Sequence, residues 1–200
     1  MMRDTILQET PQQDITPFNI ILNHNGYDPD IIKPVRTSLE DLKGISTSSV
    51  DMIFSNAVLE HLYDPLHAFR SLARVSKPGC TGFHQVDFRD HRNFDMPLEF
   101  LLLRDGEFAN LGKERDFECG NRWRSFEYTI LFERVGFQVI DISGKLHTEV
   151  SYLQEFIPRL RAAKGSKYQN CNENDLAIIG AFYKVEKKAY RGFISLLAKR

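Results

Sequence analysis

Residues 50–86 run from a short apolar stretch through a capped helical pattern to a second apolar stretch, and that succession constrains the fold more than any other feature. Val50-Asp51-Met52-Ile53-Phe54 has the length and composition of a strand and ends on the polar pair Ser55-Asn56. Asp64 before Pro65 is a helix start: the carboxylate can accept from free amides of the first turn, and a proline there gives up an N–H that has no partner anyway. Leu66, Phe69, Leu72 and Val75 recur every three residues along one face, with Arg70, Arg74 and Lys77 on the other. Pro78-Gly79 predicts the stop, and residues 81–86 the next strand. A strand, a helix and a strand in that order predict parallel pairing. The two polar strand ends, Ser55-Asn56 and residues 84–87, should then emerge at one carboxyl edge, where open α/β sheets bind ligands.

Composition narrows the class. With 42% hydrophobic and 26% charged residues, a 200-residue chain can bury a core of its own. A net charge of −1 argues against a broad basic surface, so no nucleic-acid partner is expected. Cys80, Cys119 and Cys171 are widely spaced and form no CxxC, which fits reduced thiols in a cytoplasmic protein. No apolar run approaches the ~20 residues of a membrane span.

Residues 1–17 read as a flexible polar leader without the apolar core of a signal peptide. Residues 18–22 predict a strand, 23–30 a turn-rich stretch around Asn25-Gly26, and 31–37 a short strand broken by Pro34. Residues 88–122 have no clear period, which predicts a lid or substrate segment. Tyr128, Leu131, Phe132 and Val135 predict an amphipathic helix over 125–135 with Gly136 just past its end. Residues 137–142 and 177–185 predict strands. Residues 144–175 form a second lid or substrate segment, with a helix over 150–163 kinked at Pro158. Residues 186–200 form a basic tail, helical over 189–198. The domain proper is expected over 18–185.

The chemistry gathers at the predicted edge. In His84-Gln85-Val86-Asp87-Phe88-Arg89-Asp90-His91, either His84 or His91 could serve as a base, with Asp87 or Asp90 orienting it. His84, Asp87 and His91 are also metal-ligating types, but their spacing is unremarkable. Arg122 and Arg124 flank Trp123 and could clamp a phosphate or carboxylate, or else form a charged turn leading the helix. Arg159, Arg161, Lys164 and Lys167 read as a solvated basic stripe, or else as a site for a phosphate or nucleotide-sugar.

Three segments resemble class I S-adenosylmethionine-dependent methyltransferases, of the methyltransferase type 11 kind. Ser48 through Leu62 is similar to that family's fourth strand and following loop. Asp64-Pro65 through Arg74-Val75-Ser76-Lys77-Pro78-Gly79 resembles its next helix, and Leu39-Glu40-Asp41-Leu42 its loop lining the adenine. The resemblance implies an α/β, doubly wound, Rossmann-like and mostly parallel sheet with an antiparallel C-terminal strand pair. It implies S-adenosyl-L-methionine as cofactor and direct methyl transfer to a small polar acceptor. Cofactor-binding positions would be Asp28, Ser38, Leu39, Glu40, Ser55, Asn56 and His61. Asp28 would grip the ribose or simply close a turn, and Ser38 stands where an aspartate often meets the adenine amino group. The wording around His84 and at Asn121-Arg122-Trp123-Arg124 is similar to methyltransferases found with bacterial surface-polysaccharide synthesis, which implies a sugar-like acceptor near Asp90, Arg122 and Arg124. Pairs like Glu60-His61 bind a divalent metal in a few relatives. Ala57 replaces a further ligand of theirs, so no metal is expected.

One part of the resemblance is missing. The family's first strand ends in a glycine-rich loop, and no G-x-G occurs anywhere in this sequence. A βαβ unit takes ~30 residues, so the 49 residues before Val50 cannot hold three strands with ordinary crossovers. N-terminal strands are therefore expected to be missing or divergent. Residues 18–22, a partner chain or an earlier segment of a longer protein would fill the slot, unless the chain is a non-catalytic remnant or subunit that lacks the cofactor loop.

Overall fold

The computed structural model describes Asn23, Gly26 and residues 28–114 and 119–189. The chain divides into two compact units, Met1–Arg36 and Thr37–Arg200. In the first, the Asp28 carbonyl accepts from the amides of Ile31 and Ile32, and its carboxylate accepts from the Asp30 amide at 2.9 Å. The strand expected over 31–37 is not formed, because Pro34 cannot donate to a ladder. The strand expected over 18–22 lies outside the described residues, as does the C-terminal helix beyond Ala189.

In the second unit, strand β1 (Val50–Asn56) leads through a 3-10 turn (Leu59–His61) into helix α1 (Pro65–Val75) and strand β2 (Ser76–Asp87). A second 3-10 turn (Glu99–Leu102), helix α2 (Asp105–Glu114), helix α3 (Ser125–Arg134) and strand β3 (Phe137–His147) follow. Helix α4 (Val150–Ala162), the short helix α5 (Glu173–Ala177) and strand β4 (Ile178–Lys187) complete the order. The sheet runs β1-β2-β4-β3, with β1 and β2 parallel and β4 antiparallel to both neighbours. Phe54 and Phe83 are register partners pointing the same way, so the predicted crossover and the antiparallel final pair are both present.

The predicted cap works: Asp64 Oδ1 accepts from the His67 amide at 3.0 Å, with Pro65 opening α1. Its end differs from expectation. The helix stops at Val75, and Pro78-Gly79 lies inside β2 as a bulge, the register passing from Val50 opposite Ser76 to Met52 opposite Thr81. Gly79 has φ of 81°, which favours glycine, and Pro78 lacks the amide a ladder would use. The segment 88–122, expected to be irregular, contains a 3-10 turn and a whole ten-residue helix.

Helices α1 and α3 cover one face of the sheet. Phe69, Leu72, Tyr128, Leu131 and Phe132 pack there against Val86, Ala181, Tyr183 and Val185. A second cluster joins Leu98, Phe100 and Leu101 to Phe156, Leu160, Tyr168 and Leu176, with Ile179 of β4 at its margin. On the face away from α1 and α3, the Phe54 and Phe83 rings stack at 5.2 Å, and Phe54 remains 71% exposed. Among the described residues β2 is the only strand partner of β1, so the outer edge of β1 has no ladder. No helix among them is long and apolar enough to cross a membrane.

Candidate active site

At the carboxyl edge the chain leaves β1 through Ala57, whose left-handed φ of 51° turns it sharply. Its amide donates to the carbonyl and side-chain oxygens of Gln85, which fixes the exit beside β2. The 3-10 turn that follows is held from above. The Asn121 amide donates to the Glu60 carbonyl at 2.7 Å, Asn121 Nδ2 donates to the Leu59 carbonyl at 2.8 Å, and the Tyr128 hydroxyl donates there as well. Glu60 is thereby buried at the rim, while His61 faces solvent.

Four predicted chemical groups meet at this corner. Glu60 Oε1 accepts from the Asp87 amide at 3.3 Å, and its Oε2 is buried without a hydrogen-bond partner. Burial pushes the Glu60 carboxyl up to about 7; amide hydrogen bonds oppose this, and the nearby Asp87 charge reinforces it. The His61 and His91 rings lie 5.0 Å apart in an edge-on arrangement. His91 Nε2 is 3.8 Å from Asp87 Oδ2 and has no hydrogen-bond partner. Burial lowers the His91 pKa against the pull of Asp87, with His61 and Arg89 adding to the lowering, which favours a neutral ring. Burial would raise Asp87, but a two-pronged contact from Arg89 holds it below the ordinary carboxylate range.

Several predicted site residues are engaged elsewhere. His84, read as a base, points beneath α3 instead: Nδ1 lies 2.7 Å from Ser55 Oγ, and its ring packs 5.2 Å from that of Phe132. Burial pushes its pKa down to about 4, so it stays neutral. The same contact engages the Ser55 hydroxyl with His84. Asp90 is buried and organises its own loop, with its carboxylate on the Arg92 side chain and amide and its amide on the Pro97 carbonyl. Arg124 is wholly buried and donates to the carbonyls of Phe88, Leu176 and Ile178, so it ties α3 to β4 and cannot clamp a ligand. Of the basic stripe, Arg159 pairs with Glu99, Arg161 donates to the Gln169 and Cys171 carbonyls, and Lys167 pairs with Glu127.

The turn at residues 38–42 forms as a single turn closed by the Leu42 amide on the Ser38 carbonyl at 2.8 Å. Ser38 donates to Glu40, whose Oε1 accepts from the Tyr63 amide at 3.1 Å. Burial would raise Glu40, but these hydrogen bonds bring it below its ordinary value. Leu39 packs against the first core, and Ser71 of α1 donates to the Glu40 carbonyl at 2.6 Å. The turn is thus docked beside Tyr63, just past the rim. Asn56 is exposed at the end of β1. Asp28 belongs to the first unit, where its hydrogen bonds are those of a turn-closing aspartate.

A cleft of about 300 Å³ opens beside the rim, between Leu62-Tyr63 and Arg122-Trp123, with Phe108 and Tyr168 as aromatic walls. Arg122 is buried at its base, donating to the Leu103 carbonyl and to Asp105 at 2.7 Å, with Phe108 4.1 Å from its guanidinium. Of the two predicted clamp arginines, this one borders a cleft. Tyr63, Phe108 and Tyr168 carry no local signal in the sequence, because the cleft is assembled from segments as distant as Leu62 and Tyr168.

The described residues fit part of an S-adenosylmethionine site. The 38–42 turn and the β1 exit, which the resemblance assigns to the adenine side, are both formed, and no glycine-rich cradle for the methionine side lies among the described residues. Residues 13–83 match a family model described as a methyltransferase domain. A structure described as a sarcosine dimethylglycine methyltransferase from Galdieria sulphuraria superposes with a TM-score of 0.51 at 13% identity, over 85% of this chain and 64% of that one. An S-adenosylmethionine-dependent methyltransferase from Mesorhizobium loti gives 0.50 at 11% identity, over 87% and 78%. At these identities the likeness is one of fold. The chain spans 66%, 61% and 64% of three of the solved structures it matches, less than two thirds of their length. No curated protein matches the sequence.

Proposed function

We propose that this chain, which carries a class I S-adenosylmethionine-dependent methyltransferase domain, takes part in methyl transfer from S-adenosylmethionine to a small polar acceptor at the rim of β1 and β2. Bound there, the donor supplies an electrophilic methyl group on a sulfonium. The protein's share is then to hold an acceptor oxygen or nitrogen in line with that methyl and to exclude water. Such positioning can supply ~7–11 kcal/mol of the barrier.

The observation that carries the reading is the convergence of Glu60, His61, Asp87 and His91 at the carboxyl edge, next to an aromatic-walled cleft. The turn at Ser38, Leu39 and Glu40 and the exposed Asn56 would hold the nucleoside side of the donor, with His61 beyond them. The acceptor would enter between Tyr63 and Trp123, with the paired Arg122 as a polar floor and the segments 88–122 and 144–175 as its walls. Aromatic faces with a few fixed polar groups suit a sugar-like ring. The acceptor's proton would leave through the rim cluster, His91 standing beside Asp87. His84, Ser55, Asp90 and Arg124 have no part in this scheme. Cys80 and Cys171 are free thiols, in keeping with a reducing, cytoplasmic setting.

A second reading rests on a specific observation: β1 has an open outer edge among the described residues, and the sequence lacks G-x-G. On that reading the chain is a non-catalytic, methyltransferase-like subunit, with a partner chain or an earlier segment completing the sheet. Calorimetry of the full chain with S-adenosylmethionine and S-adenosylhomocysteine separates the two. Saturable heat, reduced in Asn56→Ala, supports the enzyme reading; no heat with either nucleoside leaves the scaffold.

A further inference from the structure

The corner formed by Glu60, His61 and His91 has the makings of a metal centre. One ligand atom from each of the three side chains lies within 4.8 Å of the others. Two of the three are held in place by the fold. Glu60 is fixed by the Asn121 amide on its carbonyl and by the Asp87 amide on Oε1. His91 is half-buried, with its ring 5.0 Å from His61 on one side and 5.6 Å from Phe94 on the other. His61 closes the set from the solvent side.

Two atoms of this corner lack what a folded protein normally provides. Glu60 is 98% buried, at 2% exposure, yet its Oε2 has no hydrogen-bond partner; His91 Nε2 is buried with none either. Buried polar atoms are nearly always satisfied, and a site that takes up an ion is one recognised reason for an exception. Asp87 does not supply the missing partner, because Arg89 occupies its carboxylate from two directions and the gap to His91 is 3.8 Å. A carboxylate oxygen of Glu60 and a ring nitrogen of His91 lie within 4.8 Å of each other, so a cation held by these two side chains would supply the kind of partner that both lack.

We infer that Glu60, His61 and His91 bind one first-row divalent transition-metal ion, zinc(II) being the type, with a coordination position left open toward solvent. Two imidazoles and one carboxylate suit such an ion, whereas magnesium and calcium prefer an all-oxygen shell. Neutral imidazole is the ligating form, and the burial of His91 favours it. Asp87, next to both Glu60 and His91, would form part of the outer shell that orients the ligands. The inference stands on this geometry and does not depend on the methyl-transfer reading. If that reading also holds, a hydroxyl of the acceptor bound at the open position would lose its proton more readily, as metal-bound water does.

Cobalt(II) titration of the metal-stripped full chain, followed by visible absorption and by displacement with zinc(II), tests it without any activity assay. One cobalt ion per chain, with a ligand-field band abolished by zinc(II), is expected. His91→Ala and His61→Ala should each remove the stoichiometric band, and His147→Ala, on β3, should leave it intact. His61 is exposed, so its variant keeps the test valid even if replacing a buried ligand unfolds the chain. Absence of stoichiometric binding to the folded wild type, or binding unchanged in both His61→Ala and His91→Ala, would overturn the site.

Discussion

Nδ1 of His84 lies 2.7 Å from Oγ of Ser55, across two parallel strands and beneath helix α3. That bond makes His84 part of the core, and its titration should appear in stability. In the unfolded chain its pKa is ~6.5, and burial depresses it to about 4 in the fold. Above pH 6.5 the ring is neutral in both states and the fold loses nothing. As pH falls from 6.5 toward 4 the unfolded state takes up the proton first, so stability declines, by about 3 kcal/mol at most. Urea unfolding between pH 8 and pH 4.5 should show this slope, and His84→Gln should flatten it. An unchanged slope in the variant would assign the acid sensitivity elsewhere.

Gly82 is the close neighbour that sets the space for that ring. A Cβ built there would lie 2.7 Å from both His84 Nε2 and Val185 Cγ2. Gly82→Ala should therefore cost about 1–3 kcal/mol through overpacking. In a His84→Ala background the penalty should shrink without vanishing, because Val185 remains. A double-mutant cycle from denaturation midpoints reads the coupling. Strict additivity would contradict the crowded geometry.

The contrast between α1 and β2 explains what the sequence reveals and what it conceals. The cap of α1 is local: Asp64, Pro65 and the His67 amide span four residues, and the periodic face is read directly. Which face of β2 is covered is a different matter. Hydrophobicity would send Phe83 inward, yet Gly82, His84 and Val86 lie under α3 while Phe83 stacks on Phe54 on the opposite face. The bulge at Pro78-Gly79 and the packing of a distant helix decide that parity. Arg124 was similarly concealed. Its carbonyl partners are 36, 52 and 54 residues away, so nothing near it in the sequence distinguishes a core strut from a ligand clamp. Glu60-His61 was visible as a pair, and only folding brings His91 to it.

Arg124 and Arg122 give a direct test of that distinction. Replacing Arg124 by Met removes the donors of three buried carbonyls and should cost roughly 3 kcal/mol or more, since orphaned buried groups carry their full desolvation penalty. Arg122→Met leaves the Leu103 carbonyl, the more distant Phe100 carbonyl at 3.5 Å and an exposed carboxylate beside an open cleft, so the loss should be smaller. Chemical denaturation of both variants ranks them. A mild effect for Arg124→Met would return it to the list of ligand-binding candidates.

Exposed aromatic surface on the sheet should make the chain adhesive. Phe54 and Phe83 stack face to face, Phe182 lies 6.2 Å beyond Phe83, and Met52 is 52% exposed two residues before Phe54. An apolar strip beside a strand edge that has no ladder among the described residues is a template for association. Sedimentation velocity across a concentration series should show wild-type association that Phe54→Lys suppresses. The same substitution, at a 71% exposed position, should change unfolding stability by no more than about 0.5 kcal/mol. A wild-type chain that stays monomeric at high concentration would mean that this strip is not adhesive in solution. A variant that associates as strongly would place the contact on another surface.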